Sequence, residues 1–374
     1  MGLFGPPALI SVDDSRARAK RRVPKFAFDF IDGGAGAENG LRRNSSAFQN
    51  ELLQPFALEN TDREIVTKRR FLDQDWQLPF GVAPMGLAGL AWAGMDQHLA
   101  AAAEKFGAPY VASTPSTAAL EDLKTIAPNS GWFQLYVGRS EEIVQDLILR
   151  AETAGYDTLV VTADVPRPGK RRRDLRNKFG LPLKIGPRMI ADVLTHPQWA
   201  LNLLKTGVPG FANLAQYADP GASTASLAEL MASQSSGRLD WDLLQKIRQR
   251  WRKKLILKGI SAAENVAKAM EIGVDAVIVS NHGGRQLDGA PATLHALKEI
   301  RSQIGDAYPL AVDGGVRSGE DILKACNAGA DFVFLGRPFL YAVAAQGPQG
   351  ADNVFAMLKD ELVNAMVQTG RPIL

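Results

Sequence analysis

Short apolar runs rich in β-branched residues recur along most of the chain from Leu78 onward. They fall at Phe80–Pro84, Tyr110–Ser113, Trp132–Val137, Thr158–Ala163, Leu255–Lys258, Ala276–Ser280, Leu310–Val312 and Phe332–Leu335. Runs of this length that are apolar throughout read as buried parallel strands. Between most of them lie segments with helical spacing of apolar positions: Gln97–Phe106, Glu141–Ala154, Ala262–Ile272, Thr293–Ile304 and Ser318–Ala328. Gly107, Gly155, Gly273 and Gly329 stand where helix C-caps belong. Eight strands alternating with helices predict a (β/α)8 barrel over residues 76–374, although a doubly wound sheet fits the same pattern. Residues 1–75 read as an N-terminal helical extension, with a charged helix at Asp13–Arg22 and a chain break at Gly33, Gly34 and Gly36.

The rhythm stops once, after the fourth strand, for an insertion over residues 166–240. Its first part, Pro166–Lys178, carries Arg167, Lys170, Arg171, Arg172, Arg173, Arg176 and Lys178 against a single acid, Asp174. The apolar segments Met189–Leu194 and Trp199–Leu204 follow, and Trp241–Trp251 reads as a helix returning to the barrel. Cations followed by a Trp/Leu face suit a segment lying in a bilayer interface, predicted here through residues 178–216. Packing of Met189–Leu204 on the barrel or on a neighbouring subunit is the alternative.

Bulk properties narrow the classes. The chain has 374 residues, 46% of them hydrophobic and 22% charged, as in a soluble enzyme. A net charge of +3 gives no reason to expect a nucleic-acid partner. One cysteine, Cys326, excludes an internal disulfide, and four histidines without metal-ligand spacing argue against a metal site. Nothing reads as a secretory signal or as an 18-residue apolar span, so the expected location is cytoplasmic, with peripheral attachment at the inner face of the cell membrane.

Chemistry collects where the strands end. The first ends in Pro84-Met85-Gly86, the second in Ser113, the third carries Gln134 and Tyr136, and the fourth leads to Thr162 and Asp164. Lys258 ends the fifth. The sixth runs into Ser280, Asn281, His282 and Arg285, the seventh into Asp313–Arg317, the eighth into Gly336-Arg337. In a barrel these ends converge on one mouth, and glycine-plus-arginine loops after the last two strands suit a phosphate. A phosphate without a Gly-x-Gly-x-x-Gly turn implies a mononucleotide cofactor. Lys258 would face a ring that becomes anionic on reduction, His282 would act as a base oriented by Asp164, and Arg285 with a basic residue of the insertion would grip a carboxylate.

Ser280–Gln286, reading Ser-Asn-His-Gly-Gly-Arg-Gln, resembles the signature of the FMN-dependent α-hydroxy-acid oxidase and dehydrogenase family. The likeness covers nearly the whole chain, through Val23-Pro24-Lys25, Phe133–Val137, Asp164-Val165-Pro166, Lys258-Gly259, Asp313–Arg317 and Gly336-Arg337-Pro338. Arg173–Leu175, His196–Trp199 and Ala212–Leu214 resemble the family's membrane-associated mandelate and lactate dehydrogenases. The resemblance implies that FMN is the cofactor, that His282 is the base with Asp164 as its partner, and that Tyr136 hydrogen-bonds the substrate. It implies that Arg171 and Arg285 bind the substrate carboxylate and that Lys258 lies at the flavin N1–C2 edge. Pro84, Met85, Gly86, Ser113, Gln134, Thr162 and Ser280 would line the isoalloxazine and ribityl chain. Asp313, Gly315, Arg317, Gly336 and Arg337 would take the ribityl hydroxyls and phosphate. A homotetramer is implied as well.

The departures set the expected substrate. Phe30 stands where the family has a substrate-binding tyrosine, and Pro115 where glycolate oxidase has an aromatic. Both disfavour glycolate and favour a mandelate-like, then a lactate-like, L-2-hydroxy acid. Gly86, at a position where oxidases mostly carry alanine, favours a quinone or another carrier over oxygen. An oxygen-using oxidase is the alternative within the family; an FMN-dependent isomerase and a non-catalytic membrane- or partner-binding barrel are the alternatives outside it.

Overall fold

The β-branched runs pair in parallel and close on themselves. In a computed structural model that describes residues 9–180, 186–218 and 224–374, the eight expected strands are β3 (Phe80–Val82), β4 (Tyr110–Ser113), β5 (Gly131–Tyr136), β6 (Thr158–Thr162), β7 (Lys254–Ile260), β8 (Ala276–Val279), β9 (Leu310–Asp313) and β10 (Phe332–Leu335). They form a closed barrel in sequence order, with β10 against β3 through Val333↔Phe80 and Leu335↔Val82. Closure removes both sheet edges and settles the choice against a doubly wound sheet. Residues 1–8 of the expected extension, and 181–185 and 219–223 of the expected insertion, lie outside the described residues.

A hairpin that the hydrophobic pattern did not predict, β1 (Arg69–Phe71) with β2 (Gln74–Trp76), brings Phe71 and Trp76 against the barrel's inner residues. Phe71 stacks on Phe332 at 5.2 Å, and Trp76 meets Trp132 edge-on at 5.8 Å. The helix Arg337–Gln346 also went unpredicted, because Arg337 to Ala345 are all buried and no polar face marks its period. Leu120–Ile126 and the 20-residue helix Gln349–Gln368 are further additions to the expected set.

Three helices of the N-terminal extension dock at different places: Val12–Arg22 on the helix Arg337–Gln346, Lys25–Asp32 on the short helix Arg172–Arg176, and Asn39–Asn50 on the turn His282–Gly284 and the helix Thr293–Ile304. Their anchor is Asp32, which is buried and accepts from Arg16 at 2.6 and 2.9 Å, Arg173 at 2.6 Å and Tyr341 at 2.7 Å. One carboxylate thus ties together the extension, the insertion and the helix after β10.

The insertion corrects one expectation. Trp199 is not on an outward apolar face: it is 5% exposed, meets Phe26 edge-on at 5.8 Å, and donates its indole N–H to Leu90 O at 2.9 Å. The outward apolar row on the helices Pro187–Leu194 and Pro197–Thr206 is Ile190, Leu194, Leu201 and Leu204, with Val208 beyond, while Leu203 packs inward. No helix among the described residues is long and apolar enough to cross a membrane.

Candidate active site

The C-terminal strand ends surround a cavity of about 520 Å³. Of the expected site residues, Phe30, Pro84, Met85, Gly86, Pro115, Tyr136, Thr162, Arg171, Lys258, His282, Arg285, Asp313, Gly315, Arg317, Gly336 and Arg337 line it. Ser113, Gln134, Ser280 and Asp164 do not; their side chains hold the lining residues in place.

His282 owes its position to a strained turn. Its φ is +58°, a left-handed conformation uncommon for a residue with a Cβ. The turn is held by Asn281, whose Oδ1 accepts from Gly284 N at 3.1 Å and whose Nδ2 donates to Pro291 O at 2.9 Å. The imidazole Nδ1 stands 3.0 Å from Asp164 Oδ1. With that nitrogen protonated and donating to the carboxylate, Nε2 is left as the free base, and Tyr136 Oη lies 3.4 Å from it. Burial would raise the Asp164 pKa, but the fields of His282 and Lys258 outweigh it and hold the carboxyl below its ordinary value. Burial, then the Asp164 charge, pushes the Tyr136 phenol up to about 12, so it is a donor at neutral pH.

Lys258 arrives through a bulge. The β7–β8 register shifts between Lys258 and Ile260, and Gly259 between them has φ +101°. The ammonium is buried, 3.0 Å from Asp313 Oδ2, and donates to Ser280 Oγ at 2.9 Å. Ser280 donates to Asp313 Oδ1 at 2.5 Å and accepts from His282 N at 3.0 Å, joining the lysine's network to the histidine's turn. Burial alone would lower the Lys258 pKa; Asp313 and Asp164 reverse that and raise it. On the next strands Ser113 donates to Gln134 Oε1 at 2.8 Å, and Gln134 Nε2 donates to Thr162 Oγ1 at 3.0 Å.

Across the cavity the Phe30 ring is flanked by two guanidiniums, Arg285 at 5.2 Å and Arg171 at 5.4 Å from its centroid. Arg285 donates through Nη1 to Phe30 O at 2.7 Å and Gly33 O at 2.9 Å. Burial, then Arg171 and Arg337, lowers its pKa well below the ordinary value. Arg171 Nε is paired with Asp174 at 3.3 Å. On the strand-one loop, a Cβ on Gly86 would come within 2.7 Å of Pro115 Cγ, so these two positions are packed as a unit.

The residues fit an FMN-sized group. Lys258 puts a buried cation on the wall, Ala83, Met85 and Leu335 offer apolar surface, and Arg317 brings a guanidinium to the loop after β9. The helix Arg337–Gln346 begins at the cavity; Pro338 has no N–H and the Phe339 and Leu340 N–H groups are bonded to Gly336 O at 3.1 and 3.2 Å, so its start offers the main-chain N–H of Arg337. The Arg337 guanidinium itself is committed to Ile31 O, Gly283 O and Gly33 O at 3.2, 2.9 and 2.9 Å. That residue therefore offers a phosphate its main-chain N–H and its charge rather than its fork.

Part of the wall has no counterpart in the sequence reading. Ile143 and Leu147 from the helix Glu141–Thr153, Phe179, Phe211 and Leu214 from the insertion, and Met231, Gln234 and Leu239 with their small neighbours line the cavity. Gln234 fastens the last segment by accepting from Arg139 N through its carbonyl and from Ser140 N through Oε1, at 3.0 and 2.9 Å. An Ala/Ser/Gly-rich stretch carries no periodicity that could have announced this.

The sequence profile of the FMN-dependent dehydrogenase family matches residues 19–374. An (S)-mandelate dehydrogenase of Pseudomonas putida is 38% identical over 367 residues, covering 97% of this chain and 91% of that protein. An L-lactate dehydrogenase of Pseudomonas syringae pv. syringae (strain B728a) is 35% identical, covering 96% and 94%. The crystal structure of a monotopic membrane protein, (S)-mandelate dehydrogenase, superposes with a TM-score of 0.94 at 37% identity, covering 98% of this chain and 97% of that one. A barrel that brings a carboxylate-oriented histidine, a buried lysine and paired arginines to one cavity, and that shares this likeness over almost its entire length, belongs to the FMN-dependent dehydrogenase family of oxidoreductases.

Proposed function

We propose that the protein oxidises an L-2-hydroxy acid to the 2-oxo acid, mandelate-like acids first and lactate-like second, and passes the electrons to a quinone or another carrier. The observation that carries this reading is the free Nε2 of His282, oriented by Asp164 and sharing one cavity with Arg171 and Arg285. FMN supplies the two-electron acceptor when bound. Arg171 and Arg285 hold the substrate carboxylate, and the Tyr136 phenol donates to the substrate oxygen. His282 Nε2 takes the hydroxyl proton if the α-hydrogen leaves as hydride, or the α-proton if a carbanion forms. Asp164 stabilises the imidazolium that results. Lys258 would supply the buried positive charge that favours the reduced, anionic form of bound FMN.

Phe30 lacks the hydroxyl that would add a hydrogen bond to the carboxylate, which forgoes about 1.5–3 kcal/mol with a charged acceptor. A small substrate has few other contacts to offset that. The apolar wall at Ile143, Leu147, Phe211, Leu214 and Met231 gives a larger side chain such contacts. Gly86, packed on Pro115, favours a carrier over oxygen as acceptor.

Peripheral membrane attachment fits the outward row Ile190, Leu194, Leu201, Leu204 and Val208, flanked by exposed Arg172, Arg176, Lys178, Arg188 and Lys205. The monotopic relative supports it. The insertion also lines the cavity through Phe179, Phe211 and Leu214, so one segment carries both the proposed membrane surface and part of the cavity wall, which supports a membrane quinone as the acceptor. The proposed location is therefore the inner face of the cell membrane.

Purified protein should be yellow, and anaerobic L-2-hydroxy acid should bleach it; a colourless protein that takes up no FMN sinks the reading. In a panel ranked by kcat/KM, glycolate at the top overturns the substrate assignment. Stopped-flow reoxidation by oxygen but not by a quinone analogue overturns the acceptor. Unchanged sedimentation with anionic vesicles after deletion of 178–216 overturns the membrane contact. Analytical ultracentrifugation tests the proposed homotetramer.

A further inference from the structure

The arginines expected to hold the substrate carboxylate share their site with an acid. Asp174 lies on the short helix Arg172–Arg176, whose N-cap is Arg171; it is buried and lines the same cavity. Its Oδ2 is 3.3 Å from Arg171 Nε. The helix cannot easily carry it away, because Arg173 is bound to Asp32 at 2.6 Å and to Glu38 at 2.5 Å on the N-terminal extension. Burial raises the Asp174 pKa against the fields of Arg171 of its own segment and Arg285 of the loop after β8; Asp29 of the helix Lys25–Asp32 adds to the rise and Arg173 opposes it.

Two consequences follow from that placement. Asp174 engages Nε of Arg171 and so leaves the terminal Nη groups for an incoming carboxylate. It also reduces the charge beside the two guanidiniums: Arg171, Arg285 and Asp174 together sum to a single positive charge, with Lys258, Arg317, Arg337 and Asp313 also on the wall of the cavity. A second substrate carboxylate drawn to this arginine pair would come beside a buried carboxylate, where water screens the repulsion weakly.

We propose that Asp174 is a specificity-determining residue that makes the site a receptor for monoanions, admitting 2-hydroxy monocarboxylic acids and rejecting 2-hydroxy dicarboxylic acids. The inference rests on the 2-hydroxy-acid reading given above and deepens it. Nothing in the sequence sets Asp174 apart except that it is the single acid in a basic run.

The test compares kcat/KM for 2-hydroxysuccinate and for a 2-hydroxy monocarboxylate in FMN-loaded wild type, Asp174→Asn and Asp174→Glu. The dicarboxylate-to-monocarboxylate ratio should rise by about tenfold or more in Asp174→Asn, the scale of one nearby buried charge, and stay at the parental level in Asp174→Glu. Calorimetry reads the same discrimination without turnover: wild type should bind propanoate more tightly than malonate, and Asp174→Asn should lose that preference. If Asp174→Asn does not fold, the wild-type calorimetry decides, and malonate binding as tightly as propanoate overturns the proposal. Turnover with an unmoved ratio overturns this inference alone. A wild-type protein that oxidises no 2-hydroxy acid overturns both readings.

Discussion

Asn44 and Asn281 face each other in a reciprocal amide pair, each donating Nδ2 to the other's Oδ1 at 2.8 Å. Both are buried. The pair joins the helix Asn39–Asn50 of the N-terminal extension to the turn that holds His282 at a left-handed φ. Asn44→Ala would remove one partner from each end of the Asn281 amide, which keeps Pro291 O and Gly284 N, at a cost of about 0.5–1.5 kcal/mol for each hydrogen bond lost. We expect a lower midpoint in urea. Because the same amide organises the histidine's turn, we also expect kcat to fall while KM for the hydroxy acid moves little. A variant with the lowered midpoint but wild-type kcat would show that the extension stabilises the barrel without positioning the base.

Gly259 and Asp164 are in contact across β6 and β7. A Cβ at Gly259 would stand 2.6 Å from Asp164 Cβ, at a φ of +101° that disfavours any side chain. Gly259→Ala should therefore push the carboxylate away from His282 Nδ1. Loss of an oriented base costs about 10²-fold or more in kcat. The flavin spectrum should persist, since the glycine touches neither the Arg317 nor the Arg337 loop. Full activity in that variant would mean that Asp164 does not orient the base.

His282→Gln removes the free imidazole nitrogen and should lower kcat by about 10²–10⁴-fold. Substrate-analogue binding should be retained, because Arg171 and Arg285 are untouched. Rapid-quench or stopped-flow measurement of flavin reduction reads the step directly.

Lys258→Met would leave Asp313 as a buried carboxylate without its 3.0 Å partner. Breaking a buried pair costs about 3–5 kcal/mol, so we expect a marked loss of thermal stability and weaker FMN retention. The double variant Lys258→Met/Asp313→Asn should recover stability but not flavin reduction, which separates the lysine's structural role from its chemical one.

All six tyrosines of the chain have raised pKa values, with burial as the first cause in each. An unfolded tyrosine ionises near 10, whereas Tyr136 and Tyr341 are held at about 12. The folded state therefore keeps these protons after the unfolded state has lost them. The associated stability is complete below pH of about 10 and is lost as pH rises through 10 to 12. Absorbance at the phenolate band should stay low until the protein unfolds, and then appear with the loss of far-ultraviolet dichroism. A smooth titration centred at the free-tyrosine value, with the fold intact, would contradict this.

The alternation of apolar runs with amphipathic segments determined the succession of eight strands and their helices, because strands buried on both faces and helices buried on one leave distinct periodicities in any sequence. The spacing of Ser280–Arg285, Lys258 and Asp313–Arg317 at strand ends likewise determined which side chains meet, since closure sends every C-terminal end to one mouth. Parallel closure itself was not legible, because pairing of β10 with β3 is a contact between residues about 250 apart. Nor could spacing reveal that Trp199 turns inward onto Phe26, that Asn44 braces the turn of His282, or that Gln234 fastens an Ala/Ser/Gly-rich stretch over the cavity. Each of these is a choice of which face of a segment is buried and against what. Local pattern carries that information only for segments whose partner is water on one side; where protein covers both sides, the packing of the whole chain decides.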